Sequence, residues 1–265
     1  MMEKMIFGRY IPGDSFVHRL DPRAKLLFVF MFIIVVFLAN NPITYAILVV
    51  FTLFVILLSR IKLFFLLNGL KPVLFLMIFT FLLHILFTRE GDIIVDLGFF
   101  KIYEEGLRQG IFISIRFLVL VFITSVLTLT TSPISITDGI ETLLNPLKKV
   151  KVPVHELALM MSIALRFIPT LMDETDKIMK AQMARGSDLS AGPIMDRMKA
   201  IVPLLVPLFV SAFKRAEDLA TAMEVRGYKG GEGRTRYRQL KWGISDTLIL
   251  LVLVILAAVL FYFRG

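Results

Sequence analysis

Between Lys25 and Arg60 the chain holds no charged residue, and the only polar break in that stretch is Asn40-Asn41-Pro42 with its neighbours. Nothing constrains the fold more. In hydrocarbon every backbone N–H and C=O must be bonded within the chain, so apolar runs of this length read as membrane-spanning helices. Five such spans are expected, over about 23–39, 43–58, 70–87, 107–131 and 245–262. Composition agrees: 57% of the residues are hydrophobic and 24 are Phe, whereas soluble domains lie near about 45–50% apolar. Asp21 followed by Pro22 marks a helix start, an N-cap carboxylate with proline in the first turn. The first apolar run is long and follows about two dozen mostly polar residues, which is unlike a cleavable signal peptide. With no cysteine, disulfides, zinc-thiolate sites and cysteine nucleophiles are excluded.

The formal charge of +9 would suggest nucleic acid in a soluble protein. In a membrane protein the positive-inside rule accounts for it, and no nucleic-acid partner is expected. Residues 132–243 hold 17 Lys/Arg against 12 Asp/Glu, the same sign as the amino-terminal tail and the loop with Arg60, Lys62 and Lys71. In 88–106 acids outnumber bases, and Ile93-Ile94-Val95 with Phe99-Phe100-Lys101-Ile102 could form a small hairpin or an interfacial segment there. The fold class expected is therefore all-α: a polytopic membrane protein of the cell membrane, with an insert of long amphipathic helices. Its parts are 1–131 with four spans, 132–243 as a cytoplasmic domain, and 244–265 as the last span. The amino terminus lies inside and the carboxyl terminus outside.

Within the insert, 135–149 has helical apolar spacing until Pro146 and Pro153 interrupt it. Two long helices follow, over about 154–185 and 193–226. The first ends in Ala184-Arg185-Gly186 and the second in Val225-Arg226-Gly227, each with Ala four residues before its arginine. Glycine after the last helical residue is a left-handed stop, and a cation in the last turn suits the helix dipole. That explanation needs no function, but one cationic tip made twice is less ordinary. An arginine fork suits an acidic pocket, and two tips imply two equivalent pockets on a partner with twofold or pseudo-twofold symmetry. Both helices are apolar first and polar later, as if each left the membrane surface and ran into the cytoplasm. Asp173–Lys177 and Asp176–Lys180 are candidate i,i+4 pairs on the polar half. Pro169, Pro203 and Pro207 favour curvature in the apolar halves. Eight of the 13 methionines fall between Met160 and Met223, either as core filling or as an adaptable surface.

Chemistry is not signalled. His155-Glu156 is followed by Leu159 where a zincin has its second histidine. Gly230-Gly231-Glu232-Gly233 lacks the lysine and helix of a phosphate loop, so no cofactor, metal or catalytic group is expected. Arg116 and His84 lie inside spans and read as structural, by snorkelling or helix–helix hydrogen bonds. Arg234, Arg236, Arg238 and Lys241 precede the last span and read as headgroup contacts. A permease with its own substrate path would need more polar residues on the inner faces of the spans. An intramembrane enzyme would need paired ionisable groups in the bilayer.

Taken together, Pro12-Gly13-Asp14-Ser15, Leu20-Asp21-Pro22-Arg23-Ala24-Lys25-Leu26, Arg166-Phe167-Ile168-Pro169, the stretch 181–186 and Lys214-Arg215-Ala216-Glu217-Asp218-Leu219-Ala220 through Gly227 resemble a known family. It is the transmembrane T component (EcfT) of energy-coupling factor (ECF) transporters, related to cobalt and nickel uptake permeases. The resemblance covers nearly the whole chain. It implies a scaffold without chemistry of its own in an ABC-type importer of vitamins or metal ions. Two cytoplasmic ABC-type ATPase subunits, of the EcfA and EcfA′ type, would close on ATP. Coupling helices would pass that movement to a substrate-binding S component. By the same resemblance Ala184, Arg185, Gly186, Val225, Arg226 and Gly227 would dock in grooves on the two ATPases. Val225 stands where Ala is common in the family.

Overall fold

The computed structural model describes residues 10–96, 101–186, 194–230 and 239–264. The chain divides into two compact units, residues 8–140 with 240–265 and, apart from the first seven residues, 141–239.

The first unit opens with a single helical turn, α1 (Phe16–Arg19), capped by the Ser15 hydroxyl, which accepts from the His18 backbone N–H. Helix α2 (Pro22–Val36) starts as the sequence requires, with the Asp21 carboxylate accepting from the Arg23 N–H and Pro22 in the first turn. It is shorter than expected. Phe37, Leu38 and Ala39 continue it by bonds to carbonyls three residues back, so the apolar run to residue 39 ends in tighter turns and covers about 28 Å. Asn41 caps α3 (Pro42–Ser59) in a capping box with Thr44. The same Asn40-Asn41 turn closes another helix end: its two side-chain amides donate to the carbonyls of Arg264 and Phe263, after α9 (Ile244–Tyr262). Those carbonyls have no partner within their own helix.

Helix α4 (Leu63–Phe87) begins seven residues before the expected span and runs through Pro72. The loop is thus only Arg60–Lys62, and Lys71 lies within the helix. The expected hairpin forms: β1 (Ile93–Asp96) pairs antiparallel with β2 (Lys101–Tyr103), while Phe99 and Phe100 lie outside the described residues. Then come α5 (Glu104–Thr130) and α6 (Pro133–Leu144). The core of this unit is built from α2, α3, α5 and α9, with Phe32, Leu48, Val119, Leu253 and Leu260 fully buried. Phe28, Phe32 and Phe51 stack at 5.9–6.3 Å. On the outside, Leu57 and Phe75 are 74% and 76% exposed, a surface that hydrocarbon covers and water would not.

Helices α4 and α5 meet where α5 has no side chain. A Cβ on Gly106 would lie 2.9 Å from the His84 carbonyl oxygen and 3.3 Å from that of Thr88. Alanine normally improves a helix interior by about 1 kcal/mol over glycine. Here the sign should invert: Gly106→Ala is expected to lower stability by about 1–3 kcal/mol through overpacking against backbone, measured as thermal unfolding in detergent.

One polar cluster is buried at the start of α2. Asp246, 3% exposed, accepts from the Asp21 backbone N–H (2.8 Å) and from that of Gly243 (2.7 Å). Asp21 in turn accepts from the Arg23 guanidinium at 2.8 and 3.0 Å, and Arg23 lies 5.6 Å over the Trp242 ring. Burial pushes the Asp21 carboxyl up, but the hydrogen bonds and charge of Arg23, with Lys25 beyond, outweigh it and hold it below its ordinary value. The Lys25 ammonium donates to the carbonyls of His18 and Thr130 and meets the Thr131 hydroxyl, at 3.1–3.2 Å.

In the second unit the amphipathic stretch over 135–149 is divided. Helix α6 stops at Leu144 and a 3-10 turn, Asn145–Val150, takes over with Pro146 in its first turn. After it come α7 (Val154–Ala184) and α8 (Ile194–Val225), which continue through Pro169, Pro203 and Pro207. Pro193 lies outside the described residues.

Among the described residues, five helices are long and apolar enough to cross a membrane: α3, α4, α5, α7 and α9. The number is the expected one and the membership differs. Helix α2 is only 15 residues long. Helix α7, expected outside the bilayer, qualifies through its apolar first half.

Candidate functional site

Helices α7 and α8 run antiparallel. Glu174 bonds across the pair to Ser211 (2.7 Å) and Arg215 (2.6 Å), while Gln182, near the end of α7, reaches the carbonyl of Pro203, near the start of α8 (3.5 Å). At the other end Leu159, Ile163 and Arg166 of α7 line one cleft with Leu219, Met223 and Arg226. The sequence reading, in which each helix leaves the membrane in the same sense, is therefore corrected. The apolar start of α8 lies beside the polar end of α7, and helix-by-helix profiles cannot reveal that. The ion pair on this half of α7 is Glu174–Arg215, between helices. Among the described residues neither Asp173–Lys177 nor Asp176–Lys180 forms an ion pair.

An antiparallel arrangement sends the two arginine tips to opposite ends. Gln182 lies opposite Pro203, with Arg185 three residues beyond it and Arg226 twenty-three residues along α8, so the tips lie about 40 Å apart by helical rise. Each arginine is the residue between the last helical position and a left-handed glycine, at φ +89° for Gly186 and +75° for Gly227. The carbonyl of Met183 accepts from the Gly186 N–H. At the second tip Glu224 accepts from Gly227 and Met223 from Tyr228, the paired bonds of a Schellman motif. Ala184, Arg185, Gly186, Val225, Arg226 and Gly227 are all exposed. Neither arginine side chain has a hydrogen bond or ion pair among the described residues.

A Cβ on Gly186 or Gly227 would meet nothing within 4 Å. The glycines are thus required by backbone conformation alone. Gly227→Ala is expected to cost about 1–2 kcal/mol of helix-end stability, the left-handed penalty for an L-residue, with no steric contribution. Hydrogen exchange confined to the last turn of α8 checks this.

The tips are not identical. Arg226 also borders a cleft of about 500 Å³ whose lining, among the described residues, includes Arg166 and Lys229 and no acid, an environment suited to a partner carboxylate. Sequence reasoning used Arg166 only for its resemblance and missed that it faces the second tip, 60 positions away. Along α8, Val202, Val206, Phe209 and Phe213 form an apolar stripe, each 55% exposed or more. Met160, Met161 and Met195 add exposed thioether surface.

Other candidates are structural. Arg116 donates to the Tyr45 hydroxyl (2.7 Å) and to the Ala39 carbonyl (3.3 Å), and the His84 ring bonds Thr80 O within its own helix. His155 pairs with Glu141 at 3.0 Å. Among the described residues no three His, Asp or Glu gather as a metal site. Arg234, Arg236 and Arg238 lie outside the described residues.

The model of the cobalt transport protein family CbiQ matches residues 13–237. The energy-coupling factor transporter transmembrane protein EcfT of Bacillus subtilis (strain 168) is 66% identical over 265 residues, all of both chains. The EcfT proteins of Macrococcus caseolyticus and Streptococcus thermophilus are 59% and 52% identical, again over the full length of both chains. A protein so similar from end to end, helical, with five helices among its described residues fit to cross a membrane, belongs to the CbiQ family as an EcfT-type transmembrane component, non-catalytic, of an energy-coupling factor transporter.

Proposed function

We propose that the chain is the mechanical coupler of its transporter, and that Ala184-Arg185-Gly186 and Val225-Arg226-Gly227 are its two docking points on a pair of ABC-type ATPase subunits. One observation carries this reading: two exposed arginines, each without a partner among the described residues and held by the same left-handed helix stop, at opposite ends of one antiparallel helix pair. A separation of about 40 Å by helical rise suits one tip per ATPase subunit. A stiff bar spanning both converts their closing into a displacement of the bar. The apolar stripe of α8 is a surface on which a membrane-embedded, substrate-binding S component for a vitamin or metal ion can ride. In this reading 1–131 and 244–265 form the membrane part and 132–243 the coupling domain. The charge balance supports a cytoplasmic amino terminus and coupling domain, with the carboxyl terminus outside. The test is co-purification of the two ATPase subunits with the wild-type chain and with Arg185→Ala, Arg226→Ala and the double variant. Weakened capture by each single change and loss in the double supports the reading; undiminished capture by the double variant overturns it.

A further inference from the structure

Arg116 lies about 13 Å inside the expected start of its span by helical rise. Its bonds are to neutral groups, the Tyr45 hydroxyl and the Ala39 carbonyl, and its guanidinium stands 4.9 Å over the Phe37 ring and 5.9 Å from that of Tyr45. Its Nε is buried without a hydrogen-bond partner. Among the described residues no carboxylate pairs with it. A guanidinium in an apolar span, solvated only by a phenol, a carbonyl and aromatic faces, keeps an uncompensated charge and an unused donor.

Arg116 borders a groove. A cavity of about 320 Å³ runs along α5 past Arg108, Phe112 and Arg116 and is closed on the other side by Phe37, Asn40 and Tyr45. One acid lines it, Glu105, and that carboxylate is engaged by Arg108 at 3.6 Å and by the Gln109 amide at 3.1 Å. Two guanidinium groups and one carboxylate leave the groove one positive charge in excess, which matches a singly charged anion. The groove opens where α2 turns into α3 and where α5 begins. That is the level at which a bilayer offers phosphates. Its rim is apolar, with Phe37 57% exposed, and runs on to surface that faces acyl chains.

We propose that this groove binds a phospholipid, with the headgroup phosphodiester between Arg116 and Arg108 and the glycerol end against Phe37 and Phe112. Arg116 and the half-exposed Arg108 both line the groove and supply its positive charge. Guanidinium forks are suited to phosphate oxygens. The lipid would pin the α2–α3 turn to α5.

The full chain in neutral detergent is titrated with phosphatidylglycerol, with diacylglycerol of the same chain length and with glycerol 3-phosphate, and bound species are counted by native mass spectrometry. One saturable phosphatidylglycerol per chain is expected, held about tenfold or more tighter than either control, with retention falling about tenfold in Arg108→Gln. Arg108 is half-exposed at the rim, so this change leaves the fold in place. Arg116→Lys, which keeps the charge and removes the fork, should weaken retention similarly. Equal retention of diacylglycerol would overturn the proposal, as would variants that bind like wild type. Glycerol 3-phosphate bound as tightly as the lipid would make the ligand a soluble phosphate and sink the lipid assignment.

Discussion

Replacing Arg185 and Arg226 together by alanine is expected to abolish ATP-driven uptake while leaving the folded chain intact. Neither side chain has a partner within the described chain, so what folding loses is a helix-end charge, about 0.3–1 kcal/mol each. What assembly loses is larger. Truncating one member of a desolvated, hydrogen-bonded charge pair costs about 2–5 kcal/mol, or on the order of 30-fold and upward in affinity per tip. The two tips sit on one stiff helix pair, so a bar held at one end keeps the other end at high effective concentration. Single variants should therefore retain partial uptake, and the double variant should fall below about a tenth of wild type. Unfolding temperature and uptake in proteoliposomes, measured on the same preparations, separate the two losses. A double variant that melts and transports like wild type would mean that both arginines are helix caps and nothing more.

The second large effect concerns the fold. Asp246→Ala is expected to destabilise the membrane unit by about 3–5 kcal/mol, the cost of breaking a buried charge cluster from one side. Its carboxylate accepts from the backbone N–H of Asp21 and also from that of Gly243. It also contributes, with Asp21, the negative charge beside Arg23 and Lys25. The buried Lys25 and the partly buried Arg23 would then share one acid, and α9 would lose its polar tie to the start of α2. Asp246→Asn keeps one acceptor without the charge and should fall between. Thermal unfolding of the purified variants decides it, and a change under about 1 kcal/mol for the alanine variant would show the cluster to be dispensable.

Much of this was legible in the residues because local chemistry set it. Asp21-Pro22 opens α2, and Asn41-Pro42 opens α3. Gly186 and Gly227 stop the two long helices in the left-handed conformation that the Arg-Gly pairs imply, and the hairpin forms where acids and β-branched residues gather. Each depends on a few adjacent positions. Apolar runs long enough to cross hydrocarbon likewise demand helices whatever surrounds them, which is why four of the five expected spans, α3, α4, α5 and α9, are among the helices fit to cross a membrane.

The tertiary structure decided what depends on distant partners. The first helix stops at Val36 because tighter turns carry its apolar run to Ala39, and no periodicity distinguishes those from α-helix. Asp246 looks like an ordinary first-turn acid until α9 is placed beside Asp21. Helical profile alone had each long helix leave the membrane surface and run into the cytoplasm. Only the bonds from Glu174 to Ser211 and Arg215, and from Gln182 to Pro203, set the helices antiparallel. The amphipathic pattern of a helix says which face is covered but carries no information on the direction of the helix that covers it.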